Sequence, residues 1–326
     1  MAFAQNLKEQ VGVEQVSEDC FVSLKNPDKM GNTADIAYGG CTLASAVNAA
    51  YQTVPPGFHC FSVMGNYLGP AFSHSKLFCK IRRIRDTRSF QSRQVEVSQK
   101  QKDGTQRLCM IMFAEFQNQE PASLMRYSVP PSQEWPTWQD CPTRSEYAAQ
   151  LVKDGKVPQK MVDINGKVFG LMSRLWDGRV CPNSIMTQNL YGMAKDLPTT
   201  QDHLPLTSKI SGEWAKAKAQ LTTEGEQIAS LAFYMDGAIS FMPLSFSHKF
   251  LQDAGACSSL DFALRIFTNK LDINQWHIKE MKTIVGAEGR TYGEARLWDE
   301  KGSMVASMTQ QCILRTPTAK AGKAAL

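Results

Sequence analysis

The sequence predicts an α+β protein built from one structural unit used twice. Two observations carry that prediction: a similar hairpin pattern recurs late in each half of the chain, and a charge-free apolar segment with helical spacing stands ahead of the first hairpin. RQVEVSQKQKDGTQRLCMIMFAEFQ (93–117) and RTYGEARLWDEKGSMVASMTQQCILR (290–315) both read as strand, polar turn and long apolar strand, with turn glycines at Gly104 and Gly302. Both loops are longer than two residues, so each is a hairpin with an extended turn.

Upstream of each hairpin the order of elements repeats. In the first half GGCTLASAVNAAYQTV (39–54) spaces its apolar residues as a helix does and meets no proline until Pro55. The segment GGCTLASAVNAA carries no charge, so this helix has no solvent face and belongs in the core. The counterpart expected in the second half is DGAISFMPLSF (236–246), shortened or kinked by Pro243. Gly40 to Gly104 and Asp236 to Gly302 are separated by nearly equal lengths, which duplication explains. Each unit is then a curved antiparallel sheet wrapped around a central helix. The expected organisation is an N-terminal unit over 1–120, a connecting segment over 121–210 that crosses the outside of the sheet, a C-terminal unit over 211–316 and a flexible tail over 317–326.

Composition narrows the function classes. At 326 residues and 43% hydrophobic content, the chain has enough apolar material for a large core. Runs such as LCMIMFAEF (108–116) and IASLAFYM (228–235) fall short of the roughly 20 residues a spanning helix needs, so no membrane span is expected. The N-terminus lacks a basic start followed by an apolar stretch, so no secretory signal is read. Nine cysteines without a CxxC pair, several of them (Cys60, Cys79, Cys109, Cys312) in apolar stretches, read as free core thiols in a reducing compartment. Five histidines at no ligand spacing argue against a metal site. A formal charge of +5, spread along the chain, does not suggest nucleic acid as a partner. The basic run KIRRIR (80–85) reads first as an exposed strand face with Ile81 and Ile84 partly buried, and second as an attractor for an anionic ligand.

Several tracts together carry a resemblance to a known family. They are Tyr38-Gly39-Gly40 at a helix start, FHCFSVMGNYLGP (58–70), RDTRSFQSRQV (85–95), LAFYMD (231–236), SSLD (258–261) and MVASMTQQCILR (304–315). In this order and spacing the chain resembles the type II acyl-CoA thioesterases. The resemblance implies a double hotdog fold, an acyl-CoA or related acyl thioester as substrate, no further cofactor, and no metal. It implies catalytic roles for Asp236, Ser259 and Gln310, and substrate contacts from Gly39, Gly40, Ser89, Phe90, Arg93, Asp261 and Ala263.

The trio also makes chemical sense. Thioester hydrolysis needs a water held at the carbonyl, an acceptor for its proton and donors for the developing oxyanion. Asp236 can accept the proton, and its expected position at a buried helix N-terminus would favour its charge; the plainer reading there is an ordinary N-cap. Ser259 and Gln310 can orient the water through hydroxyl and amide, or serve as a strand hydroxyl and a sheet amide. The first unit has glycines where the second has Met-Asp-Gly, so one site per chain is expected.

Some tracts depart from the family pattern. Asp261-Phe262-Ala263 stands for D-H-S, Arg265-Ile266-Phe267 for W-F-H, LGPAFS (68–73) for the R-P-G-D turn, and Cys41 for the glutamine of GGQ. The tract from Asp261 to Phe267 is expected to border the acyl pocket, with Asp261 and Ala263 sharing the face of Ser259, and to admit branched, aromatic or polyketide-like acyl groups. Two other readings stand beside hydrolysis. One is a hotdog enzyme of different chemistry, such as a dehydratase, isomerase or cyclase; only His248 lies within about a dozen residues of Asp236, which disfavours it. The other is a non-catalytic acyl-binding protein. A cytosolic location is favoured over a peroxisomal one because the final Ala-Ala-Leu lacks the basic residue of S-K-L. The sequence leaves room for a homo-oligomer.

Overall fold

The computed structural model describes residues 3–31, 34–101 and 103–317, so the tail expected from 318 onward lies outside the described residues. Among the described residues thirteen strands form one antiparallel sheet: β1 (Val13–Ser17), β2 (Cys20–Ser23), β3 (Phe58–Tyr67), β4 (Phe78–Asp86), β5 (Phe90–Lys100), β6 (Gln106–Asn118), β7 (Trp176–Val180), β8 (Ser211–Ala217), β9 (Ala256–Ser259), β10 (Asp261–Ile266), β11 (His277–Ala287), β12 (Arg290–Asp299) and β13 (Met304–Arg315). Their spatial order is β1-β2-β4-β5-β6-β3-β10-β13-β12-β11-β8-β7, with β9 against β13. Each half thus has the same winding: two strands, a core helix, a strand that crosses to the centre, then three strands that fill the gap. The halves fuse where β3 and β10 pair antiparallel, Asn66 opposite Asp261 and Ser62 opposite Arg265.

The first core helix is Gly39–Tyr51, and every residue from Gly40 to Ala50 is buried, as its lack of charge required. The second is Glu224–Met235, earlier than the 236–246 expected. Its start is set by a capping box in which Thr223 and Glu226 satisfy each other's backbone N–H groups. Asp236 is therefore the C-cap of this helix and not the N-terminus of one. Ala238 takes a left-handed backbone (φ 81°), which ends the helical path. Pro243 starts a separate short helix, Met242–Phe246, where a missing N–H costs nothing.

The core helices pack antiparallel. The Tyr38 hydroxyl, just before the first helix, donates to the Phe233 carbonyl near the end of the second at 2.7 Å. At the other end Tyr51, the last residue of the first helix, donates to Glu224, the first of the second, at 3.1 Å. Leu43, Val47, Leu231 and Phe233 are completely buried between helices and sheet; each such side chain contributes about 1.5–3 kcal/mol relative to exposure. The hairpin turns lie where expected, Gly104 and Gly302 taking φ of 86° and 77°.

The connecting segment crosses the outer face of the second half. The Trp298 indole donates to the Val129 carbonyl and that of Trp214 to the Pro136 carbonyl, both at 2.8 Å. Trp138 stacks on Trp276 with centroids 4.9 Å apart. The Trp135 ring lies so close to Gly212 that a Cβ there would stand 2.7 Å from it. The same stretch also supplies β7, the edge strand beside β8, and so carries part of the second unit's sheet. In the basic run, Ile81 is buried and Ile84 exposed, because residues three apart on a strand point to opposite faces; the pairing with β5 also slips between Arg83 and Arg85. All nine cysteines are unpaired, and no helix is long and apolar enough to cross a membrane among the described residues.

Candidate active site

Three expected residues from distant parts of the chain meet at one point. The Gln310 amide on β13 donates from Nε2 to Asp236 Oδ1 at 2.5 Å, and its Oε1 accepts from the Ser259 hydroxyl at 3.2 Å. Asp236 is buried, as is Gln310. A fourth group, which the sequence reading passed over, completes the cluster: the Tyr67 hydroxyl at the end of β3 donates to the same Oδ1 at 3.0 Å. Its only signal was its place in the FHCFSVMGNYLGP tract, and the hydrogen bond arises from the fusion of the two halves.

The helix N-terminus beside Asp236 belongs to the other half. Gly39 opens the first core helix against the carboxylate, and a Cβ there would stand 3.0 Å from Asp236 Oδ2 and 3.1 Å from the Tyr67 hydroxyl. At Gly40 a Cβ would lie 2.4 Å from the Tyr38 ring, so this turn is closed to any larger residue. Burial pushes the Asp236 carboxyl up to about 6, against the opposing pull of Tyr67, Gln310, the Gly40 backbone amide and the charge of Lys279. The same burial drives Tyr67 and Tyr38 well above the usual phenol range, so both are neutral donors. A carboxylate poised near neutrality with a fixed ring of donors can take a proton from water and return it.

While the fully buried Gln310 is not part of its wall, a cleft of about 490 Å³ is lined by Gly39, Tyr67, Asp236 and Ser259 together with small residues such as Ala238, Ala254, Gly255 and Ala256. Its size suits an organic ligand. The LGPA stretch (68–71) forms part of one wall. Ala238, held in its left-handed conformation beside Asp236, is a strained residue at the cleft.

The other expected contacts fall elsewhere. Arg93 is completely buried at the far end of the first core helix, where it donates to the Thr53 hydroxyl (2.9 Å) and carbonyl (2.9 Å), Asp86 (2.7 Å) and Gln91 (3.1 Å). Its guanidinium ties down a helix end and has no reach into the cleft. Ser89 and Phe90 lie beside it at the start of β5: the Ser89 carbonyl accepts from Asn118, and Phe90 packs on Phe61. Asp261 and Ala263 do not share the face of Ser259. Ser259 lies opposite Cys312 but Ala263 opposite Thr309, so one strand advances four residues while its partner advances three. The extra residue is a bulge at Leu260 that reverses the alternation. Phe262 instead turns inward and packs against the Tyr67 ring with centroids 5.3 Å apart, while Asp261 accepts from the Gln311 backbone on the outer face at 2.8 Å. At the opposite end of the fold the second core helix begins with a carboxylate where the first has glycine: Glu224 is engaged by Tyr51 and by His59 Nδ1 at 2.9 Å. No cluster of metal-ligating side chains occurs among the described residues.

The comparisons with known proteins bear on the family and the fold. The family model described as the acyl-CoA thioesterase N-terminal domain matches residues 26–117, and that of the acyl-CoA thioesterase C-terminal domain matches 186–314, together well over half of the chain. No curated protein matches the sequence. Among solved structures, an acyl-CoA thioesterase II, TesB2, from Mycobacterium marinum superposes with a TM-score of 0.66 at 19% identity, covering 96% of this chain and 99% of that one. A tesB protein from Mycobacterium avium subs paratuberculosis gives 0.67 at 14% identity over 94% and 98%. A conserved protein with a hot dog fold from Alicyclobacillus acidocaldarius gives 0.67 at 13% identity over 96% and 98%. The architecture is that of the double hotdog.

Proposed function

The chain belongs to the acyl-CoA thioesterase family, and on that footing we propose that it hydrolyses an acyl-CoA at the Asp236 cleft, with Asp236, Gln310 and Ser259 handling the attacking water. The observation that carries this reading is the continuous chain of hydrogen bonds from Ser259 through Gln310 to a buried carboxylate at the cleft wall.

The chemistry follows from those groups. A water held at Ser259, whose hydroxyl Gln310 orients, gives a proton to Asp236 as its oxygen adds to the thioester carbon. The first turn of the helix at Gly39, whose positive end faces the cleft, favours the negative charge that develops on the carbonyl oxygen. The tetrahedral adduct collapses, the carbon–sulfur bond breaks, and Asp236 returns its proton to the departing thiolate. Free acid and coenzyme A leave. No cofactor takes part.

For the acyl group, the small residues Ala238, Ala254, Gly255 and Ala256 leave room beside the thioester, which supports a bulky or branched chain over a simple straight one. The fold also hosts other acyl chemistries, but a carboxylate joined to a glutamine and a serine, with no histidine among its hydrogen-bond partners, favours hydrolysis over a dehydration that needs a paired acid and base. The test is an acetyl-, hexanoyl-, palmitoyl- and isovaleryl-CoA panel followed by thiol release and mass spectrometry. Free acid and thiol in equal amounts support the proposal, with isovaleryl-CoA preferred over hexanoyl-CoA. An altered thioester, or a ligand retained without turnover, contradicts it.

A further inference from the structure

We propose that Tyr67 is a positioning residue for catalysis: with Gln310 it occupies Oδ1 of Asp236 and so assigns Oδ2, beside Gly39, as the oxygen that takes the proton. The inference rests on the catalytic reading of Asp236 and adds the atom that acts and the residue that selects it.

The two carboxylate oxygens have unequal surroundings. Oδ1 receives both side-chain donors, Tyr67 at 3.0 Å and Gln310 at 2.5 Å, which uses the two lone pairs an oxygen offers. Oδ2 points at the glycine that opens the helix, 3.0 Å from where a Cβ would stand. Besides these two side chains only the Gly40 backbone N–H reaches the carboxylate, from the helix start, so Oδ2 keeps a free lone pair there, where the thioester carbonyl is to be polarised.

Tyr67 is itself held from three sides. Its backbone N–H donates to the Leu260 carbonyl at 2.9 Å, at the bulge that also turns Ser259 and Phe262 inward. Phe262 backs its ring, and Gly39 leaves room for its hydroxyl. The same bulge thus sets the proton acceptor's partner and the water-binding serine together, which a loose surface tyrosine could not do.

The titratable groups facing Asp236 from its neighbours are Tyr38 and Cys41 at the first core helix, Tyr67 on β3, Cys312 on β13 and Lys279 on β11. Burial keeps the tyrosines and cysteines neutral across the working range, and Lys279 is paired with Glu213 at 2.9 Å. Removing the Tyr67 hydroxyl withdraws a donor from the carboxylate while changing no charge, so the protonated form gains.

The experiment is the pH dependence of kcat/KM for thiol release in Tyr67→Phe, in protein carrying 3-fluorotyrosine at position 67, and in Asp236→Asn, using whichever member of the acyl-CoA panel turns over fastest. Tyr67→Phe keeps the ring against Phe262 and should fold. Its acid limb is expected to move up by about one unit, giving roughly a fivefold loss at pH 6 and a much smaller one at pH 9. The loss should fall on kcat more than on KM. Fluorotyrosine, a stronger donor, should move the limb down. Unshifted limbs in both Tyr67 proteins beside an inactive Asp236→Asn would overturn the role of Tyr67 alone. An Asp236→Asn enzyme of undiminished activity would overturn the catalytic reading and this one with it.

Discussion

The Gln310 amide reaches Asp236 at 2.5 Å, and its orientation is fixed because the carbonyl end of the same amide accepts from Ser259. A carboxylate in that position could not donate to Asp236. Gln310→Glu should therefore set two carboxylates against each other, raise the acid limb of the pH profile and lower kcat by roughly a hundredfold near pH 7. Steady-state kinetics between pH 5 and 9 provide the check.

The buried charge of Asp236 should be visible in stability. Its carboxyl in the folded protein lies near 6, above the ordinary 3.8, so the folded state binds this proton more tightly than the unfolded chain. The resulting stabilisation is complete below about 4 and is lost as pH rises through about 6, roughly 3 kcal/mol in all. Glu213 and Asp202, both depressed to about 2, act with the opposite sign at more acidic pH. Urea unfolding at pH 5 and pH 8 should show the wild type losing stability across this window and Asp236→Asn losing less.

The two glycines at the helix start should respond differently to alanine. At Gly40 the new Cβ meets the Tyr38 ring at 2.4 Å and the Phe233 carbonyl at 2.8 Å, both fixed, so Gly40→Ala should lower stability by about 1–3 kcal/mol. At Gly39 it meets Asp236 Oδ2 and the Tyr67 hydroxyl at 3.0–3.1 Å, so Gly39→Ala should fold and lose activity. Melting temperatures and kcat measured on both variants separate the two effects.

Arg93, expected from the family pattern to contact substrate, should behave as a structural residue. Arg93→Met leaves the Thr53 carbonyl and hydroxyl without their donor in the interior, a loss of about 2–4 kcal/mol. KM of the folded fraction should stay at the wild-type value. A KM increase without a change in unfolding midpoint would return Arg93 to the substrate site.

What the sequence made legible and what it hid have physical causes. The duplication, the buried first helix and the hairpin glycines were readable because charge, apolar spacing and turn chemistry are local signals. The meeting of Asp236, Ser259 and Gln310 came through the resemblance, since no local pattern links residues on three separate elements. The second helix lies ahead of DGAISFMPLSF because the capping box at Thr223 and Glu226 sets its start and Asp236 is its C-cap, so the aspartate and Pro243 mark where it has already ended. Asp261 and Ala263 were put on the wrong face because alternation was carried through Leu260, and nothing in SSLD announces a bulge. Tyr67 was missed because its partner lies across the seam between the two halves.

The central claim is that this cleft hydrolyses an acyl thioester with Asp236 as the proton acceptor. Its most direct test is thiol release by wild type and Asp236→Asn from the acyl-CoA panel at pH 8, where the wild-type carboxyl is ionised, with circular dichroism recorded on both proteins. A fall in kcat/KM of two or more orders of magnitude in a folded Asp236→Asn is the predicted result. Wild-type turnover by that variant would contradict the account.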